Sequence, residues 1–207
     1  MPYLLVVAPT IPEDHKEKFL AAWPQIVEQI KGVPKVLGVS AGPVIGEDGE
    51  KPKDFKFIQT IAFATLEDAE SFQKSDWAVE SKKKFEEAAK AQGLDATMPP
   101  HTVFETGPFP EQTALPAYTQ MSRISVSDES KADELKGAWD AFMKVIGKEA
   151  WGGKSVGGDK TYGIGLVGWD SIQDVQAALS KPDAKAAYEK CKAMGDSKDA
   201  LIQLVQY

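Results

Sequence analysis

The hydrophobic and polar positions of this chain follow one pattern twice. Residues 12–31 and 128–147 both have the period of an amphipathic helix, with the apolar side chains on one face. The first apolar stripe is Phe19, Trp23, Ile26, Val27 and Ile30, and the second is Leu135, Trp139, Phe142, Met143 and Ile146. Trp23 matches Trp139 and Ile30 matches Ile146 at the same separation along the chain. The pattern therefore predicts an internal duplication.

The elements around these two helices repeat as well. Each helix follows a predicted strand (3–8 or 118–126) and precedes a predicted β-hairpin (35–45 with 55–64, or 150–156 with 161–169). The first hairpin has a long polar loop, and the second turns through Gly157-Gly158. A second helical region then starts at a natural N-cap, Thr65 or Ser171, and continues as a longer helix at 77–91 or 183–194. A strand closes each unit, at 101–106 and at 200–206.

These elements predict an α+β fold built from two tandem ferredoxin-like βαββαβ repeats. The repeats span residues 1–107 and 117–207, and the proline-rich segment 108–116 links them. The strands are apolar at nearly every position, which is typical of strands that are buried on both faces. Two four-stranded sheets that pack against each other would bury them, so we expect one α/β barrel inside a single chain.

Composition excludes several classes of function. The net charge of −7 argues against a nucleic-acid or anionic-membrane surface. The N-terminus is predicted to be a strand and not a signal peptide, and the single cysteine, Cys191, fits a reducing compartment, so we expect a cytoplasmic protein. The two histidines, His15 and His101, are far apart, and no metal-ligand spacing occurs. The Gly152-Gly153 pair is expected at a hairpin, and no phosphate-binding motif is present.

The segment Gly168-Trp169-Asp170-Ser171-Ile172-Gln173-Asp174, together with the repeated element order, resembles the dimeric α/β-barrel superfamily. Within it, the chain is most similar to the antibiotic-biosynthesis-monooxygenase (ABM)-like domains, once per half. A tandem chain of this kind resembles the fused, fungal-type members, which build the barrel from one polypeptide.

The resemblance implies a monooxygenase-like or cyclase-like enzyme that acts on an aromatic or polyketide-type molecule in a cavity between sheet and helices. Such enzymes use no metal and no flavin, so we expect no cofactor. The helix after Ser171 has no histidine that could hold a haem. The expected partner is a small apolar or aromatic ligand, and the fused barrel could form a homodimer.

Arg123, Trp169 and His101 are the candidate catalytic residues. Arg123 is the only arginine and lies in a predicted strand, where its guanidinium could hold a phenolate or a carboxylate. Trp169 ends a strand within the family-like segment, and His101 could act as a base near neutral pH. The structural alternatives are an ion-paired arginine, a core tryptophan and a surface histidine.

Five further residues are candidates for substrate binding, and each has a structural role as its alternative. Four lie in predicted strands and one begins a predicted helix: Tyr118, Gln120, Gln59, Tyr162 and Trp77.

A non-catalytic function stays open beside the enzyme. The alternative is a stress-responsive α/β-barrel protein that binds an apolar ligand or has a structural role. We expect an enzyme to have a cavity of several hundred cubic ångströms with converging polar groups, whereas a structural protein should have a filled interior.

Overall fold

Strands and helices alternate along the chain in the computed structural model, which describes residues 2–91, 101–108, 116–126, 129–158 and 160–207. The first half contains β1 (Tyr3–Val7), β2 (Thr10–Ile11), α1 (Lys16–Lys31), β3 (Gly38–Glu47), β4 (Phe55–Phe63), α2 (Leu66–Gln73), α3 (Asp76–Ala91) and β5 (His101–Thr106). The second half contains β6 (Tyr118–Val126), α4 (Ala132–Ile146), β7 (Ala150–Ser155), β8 (Thr161–Trp169), α5 (Ile172–Leu179), α6 (Pro182–Lys192), β9 (Asp196–Ile202) and β10 (Val205–Gln206). Short 3-10 turns precede α1 and α4.

Eight of the strands close into an antiparallel barrel. Their order is β3-β9-β6-β8-β7-β5-β1-β4, and β4 pairs again with β3. The order within the first half is β3-β4-β1-β5, and the order within the second half is β7-β8-β6-β9. The pairs β5–β7 and β3–β9 join the two halves. The fold is therefore α+β with a closed barrel, as predicted.

Apolar side chains occupy the lumen of the barrel. One buried cluster takes a residue from each of six barrel strands, and these residues can meet only inside it: Val44, Ile58, Phe104, Met121, Ile164 and Ile202. Side chains alternate along each strand, so the neighbouring positions face outwards. These outer faces carry two further clusters, one under α1 and α2 and the other under α4, α5 and α6.

The predicted helix starts after β4 and β8 are confirmed. The Thr65 hydroxyl accepts a hydrogen bond from the Asp68 backbone N–H at 3.1 Å, and Ser171 caps α5 in the same way through Asp174. The two equivalent caps fix where the chain turns from a barrel strand into the helical layer.

Several predicted boundaries differ from the structure. β3 begins at Gly38 and not at residue 35, because Lys35 has a φ of 73° that interrupts an extended strand. The last strand was predicted at 200–206, but β9 runs from Asp196 to Ile202. Gly152 and Gly153 lie in β7, the first strand of the predicted hairpin with β8, and Gly157 and Gly158 have the positive φ values of its turn. Most of the predicted linker, residues 109–115, lies outside the described residues.

Candidate small-molecule site

A cavity of about 550 Å³ lies outside the barrel lumen, between α4 and the outer face of the sheet. Its floor comes from β5, β7, β8 and β6, and α4 contributes Leu135 and Trp139 to the facing wall. The volume is within the range of pockets that hold small organic molecules. The cavity therefore meets the size expected of a binding site, and it lies between a helix and the sheet.

β8 has glycines where the first half has larger side chains. Tyr3 pairs with Phe63 as Tyr118 pairs with Trp169, and this register places Gly163 where the first half has Phe57. The same register places Gly165 opposite Ser122, at the position that Gln59 occupies opposite Val7. Both glycines line the cavity.

The first half has its equivalent space filled. Phe57 is 2% exposed, and its ring lies 4.8 Å from that of Trp23 and 5.0 Å from that of Phe19. Side chains from α1 thus pack directly on β4. At this position the outer face is consequently a closed core in the first half and an open cavity in the second.

Trp139 covers one of the cavity glycines. A Cβ atom on Gly165 would lie 2.4 Å from Cζ2 and 2.5 Å from Cε2 of Trp139. The indole can approach the strand backbone only because residue 165 has no side chain. This contact gives the cavity an aromatic wall beside a flat backbone floor.

A second property of the cavity is its charged lining. Glu105, Asp133, Lys136, Asp140 and Lys154 all contribute to it. Lys136 pairs with Asp140 at 2.6 Å on the exposed side of α4. Tyr3 donates a hydrogen bond to Glu105 at 3.2 Å, and desolvation together with this carboxylate raises the pKa of Tyr3. The cavity thus combines apolar walls with ionic groups of both signs.

A buried polar cluster adjoins the cavity at Ser122. The Ser122 hydroxyl is 3.3 Å from the hydroxyl of Tyr188 in α6, and the Gln120 amide nitrogen is 3.4 Å from the same oxygen. Burial, and after it the negative charge of Asp199, raise the pKa of Tyr188 far above its ordinary value. Phe142 stacks on the Tyr188 ring with centroids 4.8 Å apart. Ser122 is the member of this cluster that lines the cavity.

The first half replaces this cluster with apolar residues. The register of β1 and β6 against their neighbours places Leu5 at the position of Gln120 and Val7 at that of Ser122. Both residues belong to the apolar cluster under α1. The second half, which has the cavity, is therefore also the half with polar groups on the helix-facing side of the sheet.

Two of the predicted site residues, Arg123 and Tyr162, lie together on the lumen side of the barrel. The guanidinium carbon of Arg123 is 4.9 Å from the centroid of the Tyr162 ring, and Tyr162 packs against the lumen cluster. The sheet separates this pair from the cavity, which lies on its outer face. The structure brings this pair together, but away from the cavity.

The other predicted residues are dispersed. Trp169 is 1% exposed within the core under α4 to α6, and Tyr118 packs against the same core. His101 contacts the Gln73 side chain at 2.7 Å, and the Trp77 indole donates to Gln29 at 3.2 Å. None of these residues contributes to the described lining of the cavity, and neither does Gln59. Gln120 contacts Ser122, which does line the cavity.

Sequence reasoning missed the residues that shape the cavity. Trp139 was interpreted as core packing, and Gly163, Gly165, Ser122 and Tyr188 were not singled out. The signal that could have found them is the comparison of the two halves, where small and polar residues in β6 and β8 replace large apolar ones.

The described residues contain no group of three or more His, Cys, Asp and Glu side chains that could hold a metal ion. Cys191 is fully buried, and burial raises the pKa of its thiol. None of the described helices is long and apolar enough to cross a membrane.

Comparison with known proteins identifies the fold. No family model and no curated protein sequence matches the chain. Among solved structures, a candidate monooxygenase from Fusobacterium nucleatum subsp. nucleatum is 14% identical with a TM-score of 0.62, covering 99% of this chain and 92% of that one. An anthrone oxidase-like protein is 15% identical with a TM-score of 0.62, covering 99% and 91%. A candidate chlorite dismutase is 10% identical with a TM-score of 0.54, covering 99% and 94%.

These likenesses extend over nearly the whole chain at low sequence identity, and so they establish the fold alone. The closed antiparallel barrel with its outer helices is the dimeric α/β-barrel fold, and its structural neighbours include proteins named as monooxygenases.

Proposed function

We propose that the cavity beside α4 binds a flat hydroxyaromatic molecule and that the protein is a monooxygenase-like enzyme that oxygenates it. We propose further that the chain is a tandem ABM-like repeat in which only the second half holds a site. The observation that carries the proposal is the pair Gly163 and Gly165 opposite Trp139, where the first half is filled by Phe57.

The shape of the cavity favours a planar ligand. Gly163 and Gly165 put no side chain of β8 between the sheet and α4, and Trp139, which covers Gly165, offers an aromatic face or edge to a second aromatic ring. The Ser122 hydroxyl can orient a ligand hydroxyl at the inner end of the cavity. Few polar groups among apolar walls are the usual arrangement for recognising a small molecule.

The names of two structural neighbours suggest the reaction. One is named as a candidate monooxygenase and the other as anthrone oxidase-like. In an anthrone-type oxidation, loss of a proton gives a resonance-stabilised carbanion, which forms a carbon–oxygen bond with O₂. The resulting hydroperoxide loses water and leaves a carbonyl group. The substrate supplies all the electrons, so no separate reductant is needed.

The charged lining is suited to this chemistry. Glu105 is a carboxylate in the cavity wall that already accepts a hydrogen bond from Tyr3, and Lys136 and Lys154 contribute positive charge to the same lining. Positive charge near a delocalised anion stabilises it as it forms. Arg123, Trp169 and His101 stay predictions for catalytic roles, to be tested by Arg123→Ala, Trp169→Phe and His101→Ala.

Binding and oxygen consumption together test the proposal. Binding is measured by quenching of tryptophan fluorescence with 1,8-dihydroxyanthraquinone, and turnover is measured as O₂ uptake with 1,8-dihydroxyanthrone. Gly163→Phe, which restores the residue type of Phe57, should abolish both. Gly38→Phe is the matched control, because a Cβ atom at Gly38 meets nothing within 4 Å, and it should leave both unchanged.

A non-catalytic ligand-binding protein is the second candidate, the stress-responsive type of barrel protein. It is favoured by the filled lumen and by the position of Arg123 away from the cavity. Binding without O₂ uptake by the wild-type protein would support this candidate against the enzyme. Absence of binding, or binding that survives Gly163→Phe in a folded protein, would contradict both. A homodimer of the barrel and a cytoplasmic location remain proposals.

A further inference from the structure

The Gln120 side-chain amide limits the direction of the hydrogen bonds around Ser122. The Gln120 amide nitrogen is 3.5 Å from the Ser122 hydroxyl oxygen and 3.4 Å from the Tyr188 hydroxyl oxygen. An amide nitrogen can only donate, so both oxygens accept from Gln120. The protons of the two hydroxyl groups are therefore directed elsewhere.

Tyr188 has one proton and two neighbours that could accept it. These are the Ser122 hydroxyl at 3.3 Å and the carboxylate of Asp199, which lies opposite Ser122 in β9 and whose negative charge, after burial, raises the pKa of Tyr188. A charged acceptor makes the stronger hydrogen bond, which makes Asp199 the preferred acceptor for the Tyr188 proton. Ser122 must then donate to Tyr188.

This direction leaves Ser122 with a lone pair for the cavity that it lines. We infer that Ser122, Tyr188 and Asp199 form a proton relay that removes the hydroxyl proton of the bound hydroxyaromatic molecule. The inference rests on the proposed function and names the groups that would generate the reactive anion. Ser122 touches the substrate, whereas Tyr188 and Asp199 act through it.

The proton balance is simple. The O–H bond of the ligand breaks, its proton bonds to the Ser122 oxygen, and the electron pair stays on the ligand oxygen. The original Ser122 proton passes to the Tyr188 oxygen, and the original Tyr188 proton passes to Asp199. Asp199 ends neutral, and because it is only partly buried it can return the proton to water.

The surroundings of Asp199 support a role beyond packing. Its Oδ1 atom is buried and has no hydrogen-bond partner among the described residues, which is costly for a carboxylate. Two other charged groups face the relay. The Asp48 carboxylate accepts from the Asp199 backbone N–H at 2.9 Å, and the Lys192 ammonium lies 5.7 Å from the Tyr188 ring centroid.

The described residues of the first half have no such chain of groups at the equivalent positions. The strand register places Val7 at the position of Ser122, and it places His101 at the position of Asp199. Val7 cannot carry a proton, and the His101 ring bonds to Gln73 instead. The relay and the cavity therefore occur together, in the second half.

Hydrogen–deuterium exchange tests the relay without oxygen. Loss of the hydroxyl proton from the enol form of 1,8-dihydroxyanthrone gives an anion that takes up deuterium at its reactive carbon in D₂O, and anaerobic NMR measures the rate. The full-length protein should accelerate this exchange. Tyr188→Phe and Asp199→Asn should each lower the rate at least about 100-fold while leaving the dissociation constant for 1,8-dihydroxyanthraquinone unchanged.

Two control variants separate proton transfer from structure. Asp199→Glu keeps the carboxylate and should recover part of the exchange rate. Asp196→Asn removes an exposed carboxylate from the same strand and should leave the rate unchanged. Exchange at the wild-type rate in Tyr188→Phe or Asp199→Asn overturns the relay alone. Ligand binding by the wild-type protein without accelerated exchange also overturns the relay, and failure of the wild-type protein to bind overturns the proposed function with it.

Discussion

Trp139 occupies the space that a side chain on residue 165 would need, since a Cβ atom on Gly165 would lie 2.4 Å from the indole Cζ2. The glycine lies in β8 and the tryptophan in α4, so this contact sets how closely the helix approaches the sheet. It also fixes the aromatic wall of the cavity.

Gly165→Ala should displace the indole towards the cavity. Overpacking of this kind costs about 1–3 kcal/mol of unfolding free energy, and we expect weaker binding of 1,8-dihydroxyanthraquinone as well. Urea unfolding and fluorescence titration measure the two effects. Gly137→Ala is the control in α4, where a Cβ atom meets nothing within 4 Å, and it should stabilise the protein by up to about 1 kcal/mol. Equal effects of the two substitutions on stability would contradict the contact.

Phe57→Ala should destabilise the protein without affecting the ligand. Phe57 is 2% exposed and contacts the rings of Trp23 and Phe19, so its truncation leaves a void that costs about 3–5 kcal/mol. Leu37→Ala, at a side chain that is 61% exposed, should change the unfolding free energy by less than about 0.5 kcal/mol. Ligand affinity should be that of the wild type in both variants. If Phe57→Ala abolished binding in the folded protein, the site would not belong to the second half alone.

Tyr188 should make the protein sensitive to alkaline pH. Its folded-state pKa is raised above the unfolded value of about 10, so at higher pH the unfolded chain releases a proton that the folded chain keeps. This contribution to stability is intact below about pH 10 and declines by about 1.4 kcal/mol per pH unit above it.

Tyr188→Phe should remove this decline. Tyr3, whose pKa is also raised, titrates in both proteins and cancels in the difference. The check is the unfolding free energy of both proteins in urea at several pH values around 10. Parallel curves for the two proteins would show that Tyr188 titrates normally.

The fold could be predicted to a large extent because the chain alternates apolar strands with strongly periodic helices. The strand predictions 118–126 and 161–169 match β6 and β8, and Thr65 and Ser171 cap their helices as expected. The start of β9 was missed because Asp196, Lys198 and Asp199 look like a polar loop. Their strand conformation comes from pairing with β6, which a local pattern does not contain.

The site could not be predicted in the same way. Gly163 and Gly165 are ordinary small residues until the register places them opposite α4, and Trp139 has the helical position of a core residue. Arg123 was singled out for its charge, but strand alternation directs it to the lumen, where it lies over Tyr162. Which face a strand residue takes depends on the closed barrel, because both faces of these strands are apolar.

The most direct test of the account is a crystal structure of the protein with 1,8-dihydroxyanthraquinone bound. The account predicts ligand density between β8 and α4, with the rings beside Gly163 and Trp139 and a hydroxyl group on Ser122. Ligand density in the barrel lumen beside Arg123, or under α1 in the first half, would contradict it.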